Sequence, residues 1–310
     1  MPIFTIKNAK KFFTPLPVLT VQECLELLPN LAQYSYDDYQ EGFNRSAFLA
    51  DTLVNAGGLW LGIPGKSASG HRLHYDQKEQ AYKVYVDHFA LPADWELALA
   101  YIKRLSQHLK KPIITDDGQK FSSENIEDFP YTPILEGNLI GLCQVARQEE
   151  QVLYYLKRPL VIGRKMAERL IYMGKPILST YEEVVLAAQY PEAHIHEQTF
   201  HLTNDQQTIY GNYSIGEELA VVLPRRPFVE RHNETHLVGH PLSHWTLSIV
   251  YKSEDRSDWD YRLVGTFPYQ DVMDRLLEYP YEELDDNFII TSSLSRENLQ
   301  AIIDQLTATS

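Results

Sequence analysis

Apolar positions along this chain change their spacing every ten to twenty residues, which predicts short strands and helices in alternation rather than one repeating architecture. Phe4–Ile6 is a short apolar run of strand type. Thr20-Val21-Gln22-Glu23 has the form of a capping box, in which a hydroxyl accepts from an orphan amide and a carboxylate reaches back. Val21, Leu25 and Leu28 then share one helical face, which Pro29 stops. The aromatic and acidic tract Tyr34–Tyr39 reads as loop, and Ser46–Asn55 as a helix closed by Gly57 and Gly58.

After Leu59–Ile63 and a glycine- and serine-rich turn through Gly70, Arg72–Tyr75 and Tyr82–Phe89 have the residues of a hairpin. Asp94 is placed to cap a helix running to about His108, because Leu97, Ala98, Tyr101, Ile102 and Leu105 recur at three and four. Ile113–Thr115 is a strand before the turn Asp116-Asp117-Gly118. Leu139–Leu156 and Gly163–Met173 read as helices, and Ser179-Thr180-Tyr181-Glu182 as a second capping box opening a helix to Gln189.

From Thr199 onward strands dominate: Thr199–Leu202, Thr208–Tyr213, Leu219–Leu223, then Trp245–Tyr251 and Tyr261–Phe267 around the charged loop 253–258. Pro268 suits a helix start, since its missing amide costs nothing there. Asn287–Thr291 is a strand and Ser295 opens a final helix to about Leu306. This order lacks strict strand–helix repetition. The expected fold class is therefore α+β, with mixed or mostly antiparallel sheets and helices on one face, in the manner of ferredoxin-like modules. The polar, proline-punctuated stretch 121–137 suggests an N-terminal α+β domain over 1–137 and a C-terminal one over 138–310; an embedded loop of one continuous domain leaves the same trace.

Composition narrows the partners. With 28 basic and 42 acidic side chains the net charge is −14, a field that repels phosphate backbones and anionic membrane surfaces, so neither nucleic acid nor membrane is expected. Two distant cysteines, Cys24 and Cys143, form no disulfide framework. With no leader-like start and no long apolar segment, the expected location is cytoplasmic.

Chemistry-bearing motifs are few. Gly65-Lys66-Ser67 ends like a phosphate loop, but Trp60 stands where the leading glycine belongs, so a flexible turn is the simpler reading. His71, His74 and Asp76 offer a histidine–carboxylate pair without a distinctive nucleophile. Seven of the 11 histidines fall between residues 194 and 244. His194 and His196 would share a strand face and His232 and His236 a helical turn, two bidentate arrangements that suit zinc, with Glu192, Glu197, Glu230 and Glu234 nearby. Arg225, Arg226 and Arg231, beside Pro224 and Pro227, are candidates for an anionic ligand or an acidic partner. Tyr34, Tyr36 and Tyr39 alternate with polar and acidic residues, as contact surfaces do.

Two functions follow. The first is an accessory, regulatory or immunity-type bacterial protein that works through contact with another protein or with itself, needing no cofactor. The alternative is a metal-dependent hydrolase whose zinc would sit on the second-half histidines.

Overall fold

The computed structural model describes residues 2–11, 14–36, 42–172, 174–195, 197–204, 206–253 and 261–308. The chain divides into two compact units, residues 1–190 and 191–310. Residue 137, where the polar tract suggested a boundary, lies inside a helix, Tyr131–Ala146; Pro133 sits in its first turn, where a missing amide is tolerated.

The first unit opens with β1 (Ile3–Lys7), the short pair β2 (Lys10–Lys11) and β3 (Thr14–Pro15), α1 (Val21–Glu26), β4 (Ala32–Gln33) and α2 (Arg45–Ala50). There follow β5 (Leu59–Gly62), β6 (His71–Asp76), β7 (Ala81–Val86), α3 (Pro92–Leu109), β8 (Ile113–Thr115) and β9 (Lys120–Phe121). A 3-10 turn at Ile126–Asp128 leads to α4 (Tyr131–Ala146), the hairpin β10 (Gln151–Tyr154) and β11 (Pro159–Ile162), α5 (Arg164–Tyr172) and α6 (Ile177–Gln189).

Among the described residues seven strands form one antiparallel sheet in the order β4-β5-β6-β7-β1-β8-β9. Strand alternation gives it two chemically distinct faces. Phe4, Ile6, Leu61, Leu73, Tyr82 and Val84 are buried, and so are the α3 residues Trp95, Ala98, Tyr101, Ile102 and Leu105. Helix α3 packs on β1 and β7.

Local chemistry explains where helices start. The capping box of α1 forms as expected, with Glu23 N–H donating to Thr20 Oγ1 at 3.2 Å and Thr20 N–H donating to Glu23 Oε2 at 2.8 Å. Three expectations need correction. Asp94 does not cap α3: Leu91 holds that position, Pro92 opens the helix, and Asp94 is wholly buried in the first turn. Its carboxylate instead serves another segment. Ala68 N–H, Ser69 N–H and Ser69 Oγ all donate to Asp94 Oδ2, at 3.2, 2.9 and 3.1 Å. Nor does Ser179 cap α6, which begins earlier, after Pro176; within its first turn the Ser179 hydroxyl donates back to the Pro176 carbonyl at 2.9 Å. The long helix expected to reach Leu156 ends at Ala146, and its remainder becomes β10, paired antiparallel with β11.

The second unit contains β12 (His194–Ile195), β13 (Thr199–Leu202), β14 (Ile209–Gly216), β15 (Val221–Pro224), a 3-10 segment (Arg231–Leu237), β16 (Leu242–Lys252), β17 (Tyr261–Pro268), α7 (Tyr269–Leu276), β18 (Tyr281–Glu283), β19 (Phe288–Thr291) and α8 (Arg296–Ala308). Its described strands make two sheets, β12-β15-β19-β18 and β13-β14-β16-β17. The pairs β12–β15 and β14–β16 are parallel, and the other described pairs are antiparallel. Ile215, Leu223, Leu247, Ile249, Val272 and Leu299 belong to its core. The architecture is α+β with mixed sheets.

Asp94→Ala is expected to destabilise the first unit by about 3 kcal/mol or more, because three buried donors lose their acceptor at once. Denaturant unfolding followed by near-ultraviolet circular dichroism would measure it. A loss below about 1 kcal/mol would refute the clamp.

Candidate functional site

The open face of the first unit's sheet carries a row of large side chains set by register. Trp60 on β5 lies opposite Arg72 on β6, Arg72 opposite Tyr85 on β7, and Tyr85 opposite Ile3 on β1. A parallel row places His74 opposite Lys83 and Lys83 opposite Thr5. Above the first row lies a cavity of about 560 Å³, lined in part by Ser35, Tyr36, Trp60, Arg72, His74 and Tyr85. That volume falls within the range usual for ligand sites, about 300–1,000 Å³.

Trp60 is held by both its ring and its backbone. Trp60 Nε1–H donates to the Ser69 carbonyl at 2.5 Å, and Trp60 N–H donates to Ser35 Oγ at 2.6 Å. The Tyr36 hydroxyl donates to the Ala56 carbonyl at 2.9 Å, fixing the cavity wall. The Arg72 guanidinium carbon stands 4.8 Å from the Trp60 ring centroid, a cation–π contact.

The cations of this face differ in their partners. Lys83 Nζ pairs with Asp76 Oδ2 and Glu79 Oε1, both at 2.8 Å, and Lys7 Nζ reaches Glu79 Oε2 at 3.5 Å. The hydrogen bond from Lys83 holds the Asp76 carboxyl down at about 2. Arg72 has no carboxylate partner among the described residues, and its side chain is exposed.

The segment before this face is not the flexible turn that its composition suggests. Ser67, Ala68 and Ser69 are buried. Leu156 N–H donates to the Ala68 carbonyl at 2.7 Å, and the Tyr190 hydroxyl donates to the Ser67 carbonyl at 2.6 Å. Gly70 has φ +54°, and a Cβ there would lie 2.0 Å from the Leu61 carbonyl oxygen, so only glycine fits. His71, His74 and Asp76 do not assemble as an oriented base. Strand alternation turns His71 to the buried face, and Asp76 is engaged by Lys83.

The tyrosine candidates separate. Tyr36 lines the cavity; Tyr34 lies beside it in sequence, half-buried, with Lys157 Nζ 5.7 Å from its ring centroid. Tyr39 lies outside the described residues. Trp60, Arg72 and Tyr85 were missed, although a hairpin closed by Gln77–Gln80 would have put Arg72 opposite Tyr85.

In the second unit the histidines occupy different elements. His194 is on β12 and His196 lies outside the described residues. His232 and His236 are on the 3-10 segment, where His232 Nδ1 approaches Glu230 Oε2 at 3.9 Å and His236 stacks on Phe200 at 5.6 Å. Burial pushes the His232 imidazole below its ordinary range. Among the described residues no three His, Cys, Asp or Glu side chains gather as a metal-holding group. Arg225 Nη2 pairs with Glu283 Oε1 at 3.0 Å and its guanidinium covers the Tyr281 ring at 5.2 Å. The Arg226 backbone is bracketed by Asn287, and Arg231 is exposed on the 3-10 segment. A second cavity, about 590 Å³, lies over Thr203, Tyr210, His244, Thr246 and Thr266; the rings of His201, Tyr210 and His244 line up across three strands, at 5.3 and 5.5 Å.

The fold defines a mixed α+β protein of two sheet-bearing units, and no helix among the described residues is long and apolar enough to cross a membrane. The chain belongs to the family described as a domain of unknown function, DUF4299, which matches residues 2–302 and thus reaches into both units. No curated protein and no solved structure matches it.

The buried imidazole of His71 gives a pH prediction. It packs at a tilt against Tyr101, with ring centroids 4.7 Å apart, and neither ring nitrogen has a hydrogen-bond partner among the described residues. Burial pushes it down from 6.5 to about 3. Between those values the unfolded chain takes up a proton that the folded chain does not. The stability contributed by this group is therefore present above pH 6.5 and is lost as pH falls towards 3, at up to about 1.4 kcal/mol per pH unit. Denaturant midpoints measured from pH 6.5 to 4.5 should fall more steeply for the parent than for His71→Phe; matching slopes would contradict this.

Proposed function

We propose that this chain acts by binding another protein, as an accessory or regulatory factor, and that the open sheet face of the first unit is where the partner docks. The observation that carries this is the row Trp60–Arg72–Tyr85 beneath a cavity walled by Tyr36. Tryptophan, tyrosine and arginine are the residues that most often anchor protein contacts, because they bring large area and directed polar atoms, and here the arginine is already steadied on the tryptophan ring. The lysines of β7 and β1 are already neutralised and Lys120 lies on β9 at the far edge of the sheet, which leaves one charged anchor within an aromatic surround. The alternative, a zinc-dependent hydrolase on the second-unit histidines, would require three ligands at one centre; no observation favours it.

Site-directed photo-crosslinking in the native cell tests the reading. A photoreactive residue in place of Tyr85 should give an adduct of defined mass, and one in place of exposed Gln107 on α3 should not. Trp60→Ala should reduce the Tyr85 adduct at least about tenfold, as loss of an anchor residue does. Equal labelling from both positions, or an adduct indifferent to Trp60→Ala, would end the proposal.

A further inference from the structure

We infer that the group taken by the Trp60–Arg72 cavity is a carboxylate on the partner's polypeptide, the side chain of an acidic residue next to an aromatic one. This rests on the reading that a partner protein docks on this face.

The charge pattern selects the sign. On the open face Lys83 and Lys7 are satisfied by Asp76 and Glu79, whereas Arg72 has no ion pair among the described residues. A chain of net charge −14 has carboxylates in excess, so an exposed guanidinium left without one is a specific vacancy for an anion.

The geometry selects the shape. Arg72 rests over an indole that the Ser69 carbonyl holds in place while Ser35 anchors the Trp60 backbone, and Ser69 is itself fixed by buried Asp94. A guanidinium steadied on a ring keeps its N–H edge for a planar, two-oxygen acceptor, and its fork matches a carboxylate bidentately. One guanidinium also balances one negative charge. A phosphate dianion would call for a second unpaired cation at the cavity; Lys83 and Lys7, on β7 and β1, are taken, and Lys120 stands on β9 at the far edge of the sheet. About 560 Å³ exceeds what one carboxylate fills, and the rings of Tyr36 and Tyr85 on the walls suit an aromatic neighbour.

The Trp60 indole N–H resonance, assigned by its loss in Trp60→Phe, reports occupancy of the full chain. Three probes are titrated at millimolar concentration: the blocked tetrapeptide acetyl-Gly-Glu-Phe-Gly-amide, its glutamine analogue and its phosphoserine analogue. The glutamate probe should shift the resonance saturably, and the glutamine probe should bind roughly tenfold or more weakly. Arg72→Gln should erase that difference, and Arg72→Lys should restore it only in part. Equal binding of the glutamate and glutamine probes overturns the inference. Tenfold tighter binding of the phosphoserine probe overturns it in favour of a phosphate site, and so does the absence of any shift with all three. If the shift is absent while the Tyr85 crosslink persists, the carboxylate assignment falls and the docking face stands; if both are lost, both fall.

Discussion

A buried carboxylate organises the first unit. Removing an ionisable group from water is costly unless donors meet it, and Asp94 Oδ2 finds three of them in a segment some distance away in sequence rather than in its own helix, while Oδ1 is left without a partner among the described residues. This ties the start of α3 to Ala68 and Ser69. The Ser69 carbonyl then receives the Trp60 indole, and the indole supports Arg72. The chemistry offered to solvent on one face of the sheet is thus positioned from the covered face, through a chain of hydrogen bonds that starts at a group no ligand can touch. A loop composed of Gly, Ser and Ala acts here as rigid framework because its amides are spoken for.

Much of the secondary structure is legible in the residues. The hairpin β6–β7, the pair β16–β17 and helix α3 follow from two-residue and three-to-four-residue spacing, and the Thr20–Glu23 capping box lies within four residues of sequence. The failures share a cause. Val152 to Tyr154 carries apolar and aromatic residues that fit a helix or a strand, and only pairing with β11 decides between them. Asp94 reads as a cap because local spacing cannot disclose that the amides of Ala68 and Ser69 will reach it first.

The candidate site was legible in one residue, Tyr36, and hidden in the rest. Trp60, Arg72 and Tyr85 are unremarked in sequence because each belongs to a different strand, and only the register makes them neighbours. The histidines are the converse. Their crowding between 194 and 244 is conspicuous, yet the fold distributes the described ones over β12, β13, the 3-10 segment, the turn after it and β16. Proximity along the chain is informative about chemistry only when one element carries all the partners, as the i, i+4 spacing of a helix would, and here the proline after His240 and the strand that follows prevent it.

The second unit's central pairing has a consequence for the order of assembly. β14 and β16 run parallel, so no tight turn can join them, and the chain must travel through β15 and the 3-10 segment before the two meet. During synthesis β14 is complete, with one side already able to pair with β13, while its other hydrogen-bonding edge waits for residues not yet made. Closing that distance has an entropic cost that is met before any contact repays it. The middle of this unit therefore sets the pace of its own maturation, and the nascent chain carries an unmatched strand edge for as long as β16 is absent.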